Sequence, residues 1–103
     1  MLLHSVFLQY NSLTGILPPE IGNLTSLKIL NLAQNHLSSE IFNELPIGLN
    51  YLDLSLNAFS SVILRSVTNL TQLQLINLLY NQFSGEIPAS FGKLQQLQYL
   101  KIF

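Results

Sequence analysis

Few side chains in this sequence have the type and spacing to do chemistry. Among 103 residues there are two His, four Lys or Arg, five Asp or Glu, and no Cys or Trp. His4 or His36 with Ser12 and Asp53 would be the raw material for nucleophilic hydrolysis, in which a base within hydrogen-bond reach activates a hydroxyl. Nothing in their spacing brings these residues together. Two His without further ligands do not fill a structural zinc site. The lack of Cys removes thiolate and disulfide chemistry. No glycine-rich phosphate loop, nucleotide motif or kinase signature occurs. The sequence therefore predicts no catalytic residue, no cofactor and no metal.

Neutral polar groups are the abundant resource: 10 Asn, 8 Gln, 11 Ser and 4 Thr, beside a charged fraction of 9%. Ordinary soluble domains carry about 25% charged residues. A net charge of −1 provides no electrostatic basis for binding nucleic acid or an anionic membrane surface. Four of the Asn, namely Asn11, Asn35, Asn57 and Asn81, recur at spacings of 24, 22 and 24 residues. Two more, in Asn23-Leu-Thr25 and Asn69-Leu-Thr71, each stand 12 residues after one of these and form N-x-[ST] sequons. Such a sequon accepts a glycan on the surface loop of a secreted protein, so Asn23 and Asn69 are glycosylation candidates.

The elements that must position these amides are repeats. Aligned on Asn, the chain reads Leu3-x-x-Val6-x-Leu8-x-x-Asn11, Leu27-x-x-Leu30-x-Leu32-x-x-Asn35, Leu49-x-x-Leu52-x-Leu54-x-x-Asn57 and Leu73-x-x-Ile76-x-Leu78-x-x-Asn81. A fifth copy, Leu97-x-x-Leu100-x-Ile102, stops before its Asn. Leu alone makes up 24 of the residues. This is the leucine-rich repeat pattern. It predicts an α/β solenoid over residues 1–103, with repeats 3–26, 27–48, 49–72, 73–96 and a partial 97–103, about 4.3 repeats without caps. Alternation of Leu with polar positions fits a short strand with one buried face, pairing in parallel with its copies about 4.8 Å away. Irregular or 3-10 structure is expected on the convex side. Leu13, Leu37, Phe59 and Phe83 extend the core two residues after each Asn. An Asn amide both donates and accepts, so a stacked ladder of Asn11, Asn35, Asn57 and Asn81 would satisfy backbone groups freed where the chain leaves the strand.

The second half of the turns narrows the class. Leu13-Thr-Gly-Ile-Leu-Pro-Pro-Glu-Ile-Gly-Asn-Leu24 and Phe83-Ser-Gly-Glu-Ile-Pro-Ala-Ser-Phe-Gly-Lys-Leu94 resemble L-[ST]-G-x-I-P-x-x-[IL]-G-x-L, the signature of plant-type leucine-rich repeats. The chain is similar to ectodomains of plant receptor-like serine/threonine kinases. Its shortened second repeat, followed by Leu49-Asn-Tyr-Leu-Asp-Leu-Ser and by Gln74 to Ser90, resembles the MUSTACHES-like branch. The resemblance implies a twisted superhelix and a second short strand shaped by the Gly and the Ile-Pro. It also implies a parent at the plasma membrane, facing outward, that carries a kinase. Repeats two and three depart from the motif: Ser39 and Ser61 stand at the Gly position, Phe42 and Leu64 at the Pro position. The flanking strand is accordingly not expected in those two turns.

Solenoids of this kind bind through the strand face. One outward row would be Ser5, Ile29, Tyr51, Leu75 and Tyr99, and the next Phe7, Asn31, Asp53, Asn77 and Lys101. A third would hold Gln9, Ala33, Ser55, Leu79 and Phe103. Phe7, Asn31, Tyr51, Asp53, Leu75, Asn77, Tyr99 and Lys101 are the ligand-contact candidates, with Tyr51 and Tyr99 as anchors because Tyr is enriched at hot spots. Five strands about 4.8 Å apart and about 17 Å long offer roughly 320 Å², against about 800 Å² per partner in a standard interface.

No signal peptide or membrane span is read from the sequence. Met1 to Tyr10 lacks a basic residue, and the uncharged stretch Ser66 to Gly85 carries Asn69, Gln72, Gln74, Asn77, Asn81 and Gln82. The chain opens and closes in repeat phase, which suggests an internal slice that self-associates through bare ends when expressed alone. The function expected is a protein- or peptide-binding module from a receptor-like kinase or receptor-like protein, engaging a peptide, protein or co-receptor. The alternatives are a secreted or intracellular repeat scaffold without a kinase, and a non-functional truncated gene product.

Overall fold

The computed structural model describes residues 2–39, 44–84 and 86–102; Phe42, Gly85 and Phe103 lie outside these. Each Leu-x-Leu segment forms a three-residue strand: β1 (Ser5–Phe7), β3 (Ile29–Asn31), β5 (Tyr51–Asp53), β7 (Leu75–Asn77) and β8 (Tyr99–Lys101). Between them run β2 (Thr14–Ile16), β4 (His36–Ser39) and β6 (Ala58–Phe59). The first five make one parallel sheet in the order β1-β3-β5-β7-β8, and the other three a second, β2-β4-β6. The chain is thus a leucine-rich-repeat solenoid with a parallel sheet along one face.

The core follows from strand alternation. Leu30, Leu52 and Ile76 point inward from the centres of their strands, and Leu32, Leu54 and Leu78 repeat the pattern two residues later. All six are buried, as are Leu27, Leu49 and Leu73 at the strand entries. A fully buried Leu or Ile contributes roughly 1.5–3 kcal/mol, so these stacked columns dominate the stability of the inner turns. Turn one is more open: Leu8, Leu13 and Ile16 stay exposed, whereas their counterparts Leu32 and Leu37 are covered.

The second sheet corrects the expectation drawn from Ser39 and Ser61. Flanking strands form in turns two and three although the Gly and Pro of the motif are missing there. The motif Gly is not what holds the strand. Each flank is held by the next turn's Asn, whose Oδ1 accepts the N–H of Leu13, Leu37 or Phe59. In turn three Ser61 adds its own link: its Oγ donates to the Ser84 carbonyl at 2.9 Å and accepts the Ser84 N–H at 3.0 Å. Among the described residues only Gly15 uses the freedom of Gly, at φ +86°. Turn four retains Ile87-Pro88, yet among the described residues its flank contributes a single bridge, Ser60 to Gln82.

The convex side carries 3-10 helices at Pro19–Asn23 and Ala89–Lys93. Turn three differs, with one turn of α-helix, α1 (Ile63–Val67). The reason is the missing proline. Pro18 and Pro88 are extended, at ψ 143° and 137°, and a proline disfavours helical geometry in the residue before it. Leu64 imposes no such limit, so helical geometry starts at Val62 (ψ −37°) and α1 buries Ile63, Leu64 and Val67.

Candidate functional site

The strand register assembles the predicted face. Ser5, Ile29, Tyr51, Leu75 and Tyr99 are successive partners across the sheet, as are Phe7, Asn31, Asp53, Asn77 and Lys101. Phe7 is 58% exposed, Tyr51 42% and Tyr99 59%, so three aromatic rings stand on a face built of backbone ladders. Leu75, half-buried, separates the two tyrosines. The Tyr51 hydroxyl donates to Gln74 Oε1 at 3.3 Å, which tethers that ring across to the next turn.

The middle row has a structural duty that its sequence pattern did not reveal. Asn31 Oδ1 accepts the N–H of Ala33 at 3.1 Å, and Asn77 Oδ1 accepts the N–H of Leu79 at 3.2 Å. Asp53 Oδ1 accepts both the N–H of Ser55 at 3.0 Å and its hydroxyl at 2.7 Å. These are Asx-type turns that close the strand on its exit side. The interpretable signal was an Asn or Asp at the strand's last residue. The same turns draw the following residue inward: Ala33 and Ser55, placed by sequence on an outward third row, are buried.

One position further on, the backbone goes left-handed in every complete turn. Tyr10, Gln34, Leu56 and Tyr80 have φ of 60°, 54°, 57° and 60°, each directly before a repeating Asn. Tyr10 and Tyr80 are both 72% exposed. They add two aromatic rings where the chain leaves the sheet, which the sequence reading overlooked. The signal was the last variable position before Asn.

The repeating Asn make a continuous set of bonds. Asn35 Nδ2 donates to the carbonyls of Leu8, Leu32 and Ala33 at 3.0, 3.0 and 3.2 Å. Asn57 Nδ2 does the same with Leu32, Leu54 and Ser55, and Asn81 with Leu54, Leu78 and Leu79. Asn11 is exposed and reaches only Leu8 and Gln9 of its own turn.

Asn23 and Asn69 lie on the convex side, both exposed. The hydrolytic possibility finds no support in the geometry. His4 and His36 are exposed, and Asp53 Oδ1 is occupied by Ser55. Among the described residues no three His, Cys, Asp or Glu come close enough to hold a metal ion. No helix of the described residues is long and apolar enough to cross a membrane.

The repeat geometry agrees with comparison to known proteins. The Leucine Rich Repeat family matches residues 2–24, 26–46 and 72–94, more than half the chain. The chain belongs to the leucine-rich repeat family. The crystal structure of the BIR2 ectodomain from Arabidopsis thaliana aligns with a TM-score of 0.78 at 27% identity, over 93% of this chain and 52% of that one. This chain therefore spans about half the length of that ectodomain. A comparison with curated proteins gives no match. The stretch that the family pattern leaves out contains α1, where Leu64 replaces the motif proline.

Proposed function

We propose that this chain is a protein- or peptide-binding module from the outward-facing part of a plant cell-surface receptor, either a receptor-like kinase or a receptor-like protein. The observation that carries the reading is the strand face: Phe7, Tyr51 and Tyr99 stay exposed on a rigid parallel sheet. Tyr51 and Tyr99 combine a polar tip with a large apolar body, and Tyr is enriched at binding hot spots; Phe7 adds apolar area. Similarity to a plant ectodomain supports the receptor class. The Gly-Ile-Leu-Pro of turn one and the Gly-Glu-Ile-Pro of turn four support the kinase-bearing lineage, and the shortened second repeat with Leu49 to Ser55 and Gln74 to Ser90 supports its MUSTACHES-like branch. Asp53 and Lys101 add opposite charges to the middle row, two strands apart. The face as a whole offers roughly 320 Å², so it engages a partner as part of a longer solenoid or takes a short peptide. Recognition, rather than catalysis, is the activity of this chain.

The test is retention of secreted peptides and proteins from plant apoplastic fluid on immobilised chain. Replacing Tyr51 and Tyr99 together by Ala is expected to abolish retention of the specifically bound component without altering the circular dichroism spectrum. Equal retention by the wild type and the double variant contradicts the reading.

A further inference from the structure

The middle row of the strand face keeps one polar atom per strand in reserve. Asn31, Asp53 and Asn77 are successive partners across β3, β5 and β7. Each spends its Oδ1 on the backbone N–H two residues on. A backbone N–H only donates, so the amide atom facing it is oxygen, and Nδ2 of Asn31 and Asn77 is the atom left over. Among the described residues these two Nδ2 atoms and Asp53 Oδ2 make no hydrogen bond, and none of them is a buried atom lacking a partner. They reach solvent as a donor, an acceptor and a donor on consecutive strands. The row beside them is apolar: exposed Tyr51 and Tyr99 flank half-buried Leu75.

The two rows share one period. Tyr51 and Tyr99 are two strands apart, as are Asn31 and Asn77, which is about 9.6 Å at the usual strand spacing. A β-extended peptide lying across the strands presents the same side every second residue, about 6.8 Å, and falls out of step. A polyproline II helix has three residues per turn and repeats at about 9.3 Å, so it stays in step. Its carbonyls make no internal hydrogen bonds and need outside donors, and its prolines dock on aromatic side chains. The face is about 19 Å long across its strands, the length of about six residues of such a helix. Its roughly 320 Å² is too little for a globular partner, which needs about 800 Å², and suits one slender segment.

We propose that the strand face takes a proline-rich peptide segment in the polyproline II conformation, running across the strands. Side chains three residues apart pack on Tyr51 and Tyr99, and carbonyls three residues apart accept from Nδ2 of Asn31 and Asn77. Asp53 Oδ2 lies between the two donors and accepts an N–H, which a proline lacks, so the residue opposite Asp53 is not proline. The inference rests on the peptide-binding reading and names the conformation and composition of the peptide.

Fluorescence anisotropy of the full chain with a labelled peptide of three Pro-Pro-Ala triplets tests this. Saturable binding is expected, with none for three Gly-Gly-Ala triplets and no displacement by cellohexaose, a neutral glycan. Asn31→Asp with Asn77→Asp removes both donors but keeps both Oδ1 acceptors, and Asp53 shows that an Asp closes this turn. That variant is expected to keep the wild-type thermal midpoint and to bind the triplet peptide about tenfold more weakly. Leu75→Tyr with Tyr99→Leu sets the rings on adjacent strands and is expected to weaken binding at least as much; it decides alone if the Asp variant unfolds. No binding of the triplet peptide, equal binding of the glycine peptide, displacement by cellohexaose, or unchanged affinity in the folded variants overturns the proposal. Retention of an apoplastic peptide through Tyr51 and Tyr99 without triplet binding defeats this inference alone. Triplet binding that survives Tyr51→Ala with Tyr99→Ala lies off the strand face and defeats the strand-face reading as well.

Discussion

Asn35 Nδ2 lies 3.0 Å from the carbonyl oxygen of Leu8, 27 residues earlier in the chain. That one contact joins adjacent turns at the point where each leaves its strand, and Asn57 and Asn81 repeat it with Leu32 and Leu54. The strand face stays regular because every complete inner turn is tied to the one before it in the same way.

Removing the tie at an inner turn should therefore cost far more than removing it at the first. Asn35→Ala leaves the Leu13 N–H without its acceptor and removes one donor each from the carbonyls of Leu8, Leu32 and Ala33, which keep Asn11 Nδ2, Asn57 Nδ2 and the Tyr10 N–H. Since an unsatisfied buried group costs about 1–3 kcal/mol, a loss in that range is expected, seen as a lower denaturant midpoint. Asn11→Ala, at an exposed position bonded only within its own turn, should cost less than about 1 kcal/mol. Similar losses at the two positions would count against the ladder as the source of inter-turn stability.

A pH-dependent version of the same test uses Asn35→Asp. The carboxylate would face the carbonyls of Leu8, Leu32 and Ala33 in a buried site, which favours its protonated form. Its folded pKa should lie above the unfolded value of about 3.9. Stability is then lost as pH rises from the unfolded pKa through the folded one and recovered on acidification. Unfolding midpoints of wild type and variant should converge as pH falls toward 4; a constant gap between pH 4 and 7 would contradict this, the pH values being approximate choices about that carboxyl pKa.

Leu56 is a stabilising site in waiting. Its φ of 57° costs a branched side chain about 1 kcal/mol, and its side chain is 45% exposed. Asn adopts this geometry more readily. Leu56→Asn should raise stability by up to about 1 kcal/mol, or about 4–8 °C in Tm for a domain of this size. A fall in Tm would show that Leu56 packs in a way its exposure conceals.

Asp53 separates structural from recognition roles. Asp53→Ala removes the acceptor for the Ser55 N–H and hydroxyl and should cost about 1 kcal/mol. Asp53→Asn preserves an acceptor, as Asn31 and Asn77 do at the same register, so stability should change little. Any loss of binding in Asp53→Asn then reports the charge. Equal thermal destabilisation by both variants would rule out the turn-closing role.

The repeat architecture was legible because Leu spacing and strand alternation are local signals repeated several times over. The two outward rows followed directly, since period-two alternation assigns Tyr51 and Asp53 to one face once Leu52 is placed in the core. What escaped was set by interactions between turns. Ser61 departs from the Gly of the motif, yet its hydroxyl bonds Ser84 across 23 residues. Ala33 and Ser55 were placed outward, but the Asn31 and Asp53 side chains pull the chain round before the alternation can continue. The left-handed residues were missed because Tyr10, Leu56 and Tyr80 are not the residue types that signal positive φ. Neighbouring turns impose that geometry on them.

Site-directed photo-crosslinking tests the central claim most directly. The secreted chain, with a photo-crosslinking residue in place of Tyr99, Tyr51 or the convex Gln95, is irradiated in plant apoplastic fluid. Adducts are then mapped by mass spectrometry. A strand-face receptor module should give the same adduct from positions 51 and 99, suppressed by excess unlabelled chain, and none from position 95. An adduct formed at position 95 and absent from positions 51 and 99 would contradict the account.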